Sequence, residues 1–141
     1  MRILVLLFAP VMLAAFIGCG GNDSNPFDRE PTYEEKKMSI EEEERANPAR
    51  FLTASGTYRE NFSGTKMKVF GKVTSTATVA NFKDVVIEFT YYSSTDTELG
   101  SDRYVLYEFV NAGKTVSFNW KLDVPSACTK LGWDVVSATP Y

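Results

Sequence analysis

Three carboxylates, Asp96, Glu98 and Asp102, cluster around one chain connection, and two cysteines, Cys19 and Cys128, stand far apart. These are the residue types and spacings that could do chemistry. Two carboxylates held about 5–10 Å apart in a cleft can hydrolyse a glycosidic bond. Such chemistry needs a cleft and one raised pKa, and nothing around these three acids supplies either. Their oxygens could also reach a calcium ion, but the spacing departs from the D-x-[DN]-x-[DN]-G pattern of a dedicated loop. Solubilising turn residues is the expected role, with a small hydrolase built on 96–102 as a rival reading. Histidine is absent from the 141 residues, which removes the commonest general base and the commonest metal ligand together. Cys128 therefore lacks an imidazole to activate it, and is expected as a small residue buried or half-buried in a loop. No catalytic residue, metal site or cofactor is expected.

Cys19 differs because of what precedes it. Met1-Arg2 brings one positive charge, and residues 3–17 form an apolar run. A charged start, a short apolar run and small residues at its end make a signal peptide. The run falls short of the roughly 20 residues that a bilayer span needs, and Pro10 weakens a helical anchor further. Ile17-Gly18-Cys19 resembles the lipobox of bacterial lipoproteins, with Phe16 where leucine usually stands. The resemblance implies a diacylglyceryl group on Cys19, cleavage before it and acylation of the new N-terminus, typically with palmitate. It also implies a lipid anchor in the bacterial cell envelope, with the outer membrane as the expected destination. A lipidated Cys19 could not bridge to Cys128.

The elements that follow divide the chain into residues 1–18 as signal peptide, 19–31 as flexible tether, 32–50 as a short acidic helical segment and 51–141 as one β-domain. Residues 20–26 are small and polar and cannot bury enough surface to order themselves. Thr32 with Glu35, and Ser39 with Glu42, both have capping-box spacing; a helical turn is expected to start near Ser39 and stop before Asn47-Pro48. Consecutive glutamates on a helix point in different directions, so Glu41 to Glu44 read as a solvated face and not as a cation site.

From Phe51 onward the period changes to two. Residues 58–62 read as a first strand. Met67, Val69, Gly71 and Val73 alternate with Lys66, Lys68, Phe70 and Lys72. Over 82–92, Val85, Ile87, Phe89 and Tyr91 alternate with Asp84, Val86, Glu88, Thr90 and Tyr92. Turns at 93–97 and 111–114 flank a strand expected over 103–110. Val116, Phe118, Trp120 and Leu122 then share one face, and 131–138 close the domain. About six or seven short strands without helical periodicity predict an all-β fold, an antiparallel sandwich. Residues 69–124 resemble the FxLYD domain, an immunoglobulin-like module of prokaryotic surface lipoproteins. The resemblance rests on Phe70-Gly71-Lys72-Val73-Thr74, on Phe89-Thr90-Tyr91-Tyr92-Ser93 and on the glycine turn before Val116 and Phe118. It implies an immunoglobulin-like sandwich with no common catalytic residues.

The expected function is non-enzymatic: a membrane-anchored envelope lipoprotein whose sandwich serves as an interaction or structural module. Aromatic residues make up 13% of the chain, so some must face out. In a strand one of two successive residues faces away from the core, which nominates Tyr92 and Tyr104 for a glycan- or protein-binding surface, the favoured role being cross-strand pairing. Lys66, Lys68 and Lys72 form a basic stripe that could meet anionic headgroups or lipopolysaccharide, the favoured role being protection of an edge strand. With 15 Lys+Arg against 18 Asp+Glu, no nucleic-acid partner is expected.

Overall fold

Alternation of apolar and polar residues, with period two, builds most of this molecule. The computed structural model describes residues 29–60 and 64–141. Cys19 and the signal and tether segments before Arg29 lie outside the described residues, as do residues 61–63. The chain divides into two units, Met1–Glu30 and Pro31–Tyr141, and the elements below all belong to the second. A helix, α1 (Tyr33–Ala46), and a 3-10 turn, Pro48–Arg50, lead into six strands: β1 (Leu52–Glu60), β2 (Lys66–Ser75), β3 (Phe82–Tyr92), β4 (Glu98–Leu106), β5 (Thr115–Asp123) and β6 (Lys130–Pro140).

The strands form two antiparallel sheets in the orders β1-β2-β5 and β4-β3-β6. In immunoglobulin lettering these are A-B-E and C′-C-F, so the fold is an all-β, immunoglobulin-like sandwich. The hairpins β1-β2 and β3-β4 stay within a sheet, while the connections β2 to β3, β4 to β5 and β5 to β6 cross between sheets.

The inward faces are those that the alternation predicts. Met67, Val69 and Val73 of β2, Val85, Ile87, Phe89 and Tyr91 of β3, and Phe118 and Leu122 of β5 are all buried. Removing each large aliphatic or aromatic side chain from water stabilises the fold by about 1.5–3 kcal/mol, so these three strands carry most of the core. Phe82 also faces inward although it lies three residues before Val85. A bulge resolves the parity: pairing with β6 shifts between Lys83 and Val86, and Asp84 takes a φ of 50°. Gly71 sits at an inward position opposite Phe118, where an added Cβ would stand 2.1 Å from the Phe118 ring. The ring therefore lies on bare backbone in the middle of the sheet.

Four expectations change. β1 begins at Leu52, not at Tyr58, because Thr53 to Thr57 are small and polar and join the sheet through backbone pairing with β2. β4 runs Glu98–Leu106 and not 103–110; the chain leaves the sheet at Tyr107 and returns only as an isolated bridge between Phe82 and Val110. The helix starts at Tyr33, six residues before Ser39. The Thr32–Glu35 capping box forms, with the Thr32 backbone N–H donating to the Glu35 carboxylate at 2.7 Å, and Ser39 lies inside the helix. Finally, β2 is the central strand of its sheet, paired on both sides, so Lys66, Lys68 and Lys72 guard no edge.

Candidate interaction surfaces

The two aromatic candidates point in opposite directions. Tyr104 lies opposite Ile87 on the inward side of β4, with its ring 5.7 Å from Phe89 and stacked 5.8 Å from Trp120. Together with Phe118, Trp133 and Tyr58 these rings form a continuous layer between the sheets. Tyr104 is thus a packing residue and Val105 faces out. Tyr92 does lie on the outer face of β3, where its ring rests against Gly132. Within the β-domain the most exposed aromatics are ones that the strand pattern did not single out. Tyr107 is 80% and Phe109 61% exposed, beyond the end of β4, and the Phe109 ring lies 4.8 Å from that of Tyr141.

The acidic trio does not converge. Asp96 pairs with Lys130 at 2.5 Å, Asp102 accepts a hydrogen bond from the Tyr91 hydroxyl at 2.9 Å, and Glu98 is exposed at the start of β4. Burial, reinforced by Asp102, pushes the Tyr91 hydroxyl far up, so it stays a donor. Cys128 is buried, its Sγ donates to the Lys130 carbonyl at 3.3 Å, and burial pushes its thiol pKa up. A thiol in that state is a poor nucleophile. Among the described residues no group of three or more His, Cys, Asp or Glu is placed to hold a metal ion.

On the outer face of the β1-β2-β5 sheet, register gathers residues that are distant in sequence. Arg59, Lys68 and Lys121 lie directly opposite one another in a single cross-strand row. The next outward row is Thr57, Phe70 and Asn119, and the one after it Ser55, Lys72 and Ser117. Residues of the second and third rows, with Gly56, Gly71 and Phe118, line an open depression of about 500 Å³. Phe70 is 39% exposed, and the Lys68 ammonium sits 4.9 Å from its ring centroid. Lys66 stands apart, bridged to Asp123 at 2.8 Å, and this pairing raises its pKa. The opposite outer face is balanced by comparison: Arg103 bonds Glu88 at 3.0 Å across β3 and β4.

One charged residue was missed. Glu44, expected on the solvated face with its three neighbours, is only 2% exposed. Its carboxylate accepts four hydrogen bonds from the β2–β3 loop: Thr78 N–H at 2.6 Å, Thr78 Oγ1 at 3.0 Å, Val79 N–H at 3.0 Å and Ala80 N–H at 2.7 Å. Burial alone would raise its pKa, but the donors from Ala80, Thr78 and Val79 outweigh that and hold it below 4.5. This clasp fastens α1 to the sandwich. A signal existed in the sequence, since Tyr33, Ile40 and Glu44 share one helical face by their spacing, and Tyr33 and Ile40 line an open groove together with Thr78 and Val79.

No family model matches the chain, and no curated protein matches it. Among solved structures, the crystal structure of Spo0M, a sporulation control protein from Bacillus subtilis, is similar over 59% of this chain at 14% identity, with a TM-score of 0.36. This chain spans 40% of the Spo0M chain, and a likeness of that size leaves function to be read from the residues themselves.

Proposed function

We propose that this protein is a bacterial cell-envelope lipoprotein, anchored through lipid on Cys19, whose sandwich is a non-enzymatic interaction module. The observation that carries this reading is the pattern of residues 2–19, a charged start, an apolar run too short for a span, and Ile17-Gly18-Cys19 at its end. Among the described residues no helix is long and apolar enough to cross a membrane. In this reading the acyl chains supply membrane affinity, at about 0.8 kcal/mol per buried methylene, and residues 20–31 space the domain from the bilayer. The sandwich then offers a rigid sheet face to a partner in the envelope. The FxLYD resemblance of residues 69–124 fits the same picture.

Mass spectrometry of the mature protein tests the anchor. The N-terminal peptide is expected to begin at Cys19 and to carry diacylglyceryl and palmitoyl mass, and Cys19→Ser is expected to accumulate as uncut precursor. A mature chain that begins elsewhere and carries no lipid refutes the reading.

A further inference from the structure

The outer face of the β1-β2-β5 sheet sets like charges side by side. Arg59, Lys68 and Lys121 face one another across strands about 4.8 Å apart, and like charges directly opposite destabilise a sheet. Glu60, the nearest acid on β1, does not relieve them: it lies at an inward position opposite Met67, on the side from which its charge acts on Cys128. Lys72 adds a further positive charge about 13 Å along β2 from Lys68, at 3.3 Å per residue. Between the charges lie an exposed ring, Phe70, and the hydroxyls and amide of Thr57, Ser55, Ser117 and Asn119, all facing the depression.

We propose that this face binds an acidic oligosaccharide, a run of sugars bearing carboxylate, phosphate or sulfate groups. The acidic groups meet Arg59, Lys68, Lys121 and Lys72 through charge-assisted hydrogen bonds, and a sugar ring packs on Phe70. Uncharged hydroxyl and amide donors in the middle row suit sugar hydroxyls. Neutral hydroxyl and amide groups set between the charges favour this occupant over a bilayer: Phe70 lines an open depression together with Thr57, Ser55, Ser117 and Asn119. The inference names the partner class of the interaction module and rests on that reading, but it moves the binding face from the tyrosines to the opposite sheet.

The test is calorimetric titration of the full-length protein in detergent with oligogalacturonate, with a heparin-derived hexasaccharide as a sulfated probe and maltohexaose as the uncharged control. At least one acidic probe is expected to bind, with affinity falling as salt rises from about 0.05 to about 0.5 M. Lys68→Gln with Lys121→Gln is expected to weaken binding about tenfold or more, through loss of two charge-assisted contacts. Phe70→Ala is expected to weaken it at any salt, and Tyr92→Ala, on the other sheet, to leave it unchanged. Melting curves check that each variant is folded, and Lys121→Glu provides a second route to the same loss. Equal binding of maltohexaose, full binding by the double variant, or no binding of either acidic probe overturns the proposal. A preference for phosphatidylglycerol over phosphatidylcholine vesicles that the double variant loses, without oligosaccharide binding, overturns it in favour of a membrane-facing sheet. Lipid on Cys19 without oligosaccharide binding sinks this inference alone; oligosaccharide binding by a chain that lacks lipid leaves it standing and removes the anchor.

Discussion

Glu44 and the Arg59–Lys68–Lys121 row hold charge in opposite ways. Glu44 is buried, and four donors from a single loop point at its two oxygens. The row is at the surface, and its nearest cross-strand neighbours carry the same sign. A charge whose partners are complete is part of the scaffold, since removing it strands the donors around it. A charge that repels its cross-strand neighbours adds little to the scaffold beyond the contact of Lys68 with the Phe70 ring, and is open to meet something else. Burial therefore separates the two roles in this molecule better than charge or residue type does.

Mutations can break that comparison. The largest expected effect is at Glu44: Glu44→Ala leaves the N–H groups of Thr78, Val79 and Ala80 without their acceptor and should cost about 2–3 kcal/mol in urea unfolding. A loss no larger than that of an exposed charge would show that the clasp is slack. Acid gives the same test without mutation. The folded pKa of Glu44 is depressed, so its stabilisation is complete above its unfolded value near 4.5 and is lost as pH falls through the folded value. Wild type is expected to lose stability over that window more steeply than Glu44→Gln, read as melting temperature against pH. The smallest effect is at the row, where Lys121→Gln should leave stability unchanged or raise it by roughly 0.2–1 kcal/mol by relieving the pair with Lys68. Clear destabilisation there would give the row a structural duty and blur the contrast.

How much of this was legible in the sequence follows from the same distinction. β2, β3 and β5 bury one face each, so their apolar residues alternate visibly, and the sandwich class can be read from them. β1 and β4 bury few side chains over their first halves and are held there largely by backbone pairing; Thr53 to Thr57 and Glu98 to Arg103 look like loop, so alternation does not mark where these strands start. The basic stripe on β2 was visible, but its place in a row with Arg59 and Lys121 is a matter of register between strands up to 62 residues apart in numbering, from 59 to 121. Alternation alone does not say whether Tyr104 or Val105 faces in; the pairing of Tyr104 with Ile87 decides that. Glu44 was hidden among identical neighbours, and its partners lie 34 to 36 residues further on.

The position of the clasp in the chain has a mechanical consequence. Any pull applied upstream of Tyr33 passes through α1 and reaches Glu44 before it reaches β1, an edge strand paired on one side only. The four hydrogen bonds on one carboxylate share that load and must fail before β1 can be peeled from β2. From this order of attachment the helix is expected to be drawn out before either sheet opens, which lengthens the reach of the chain.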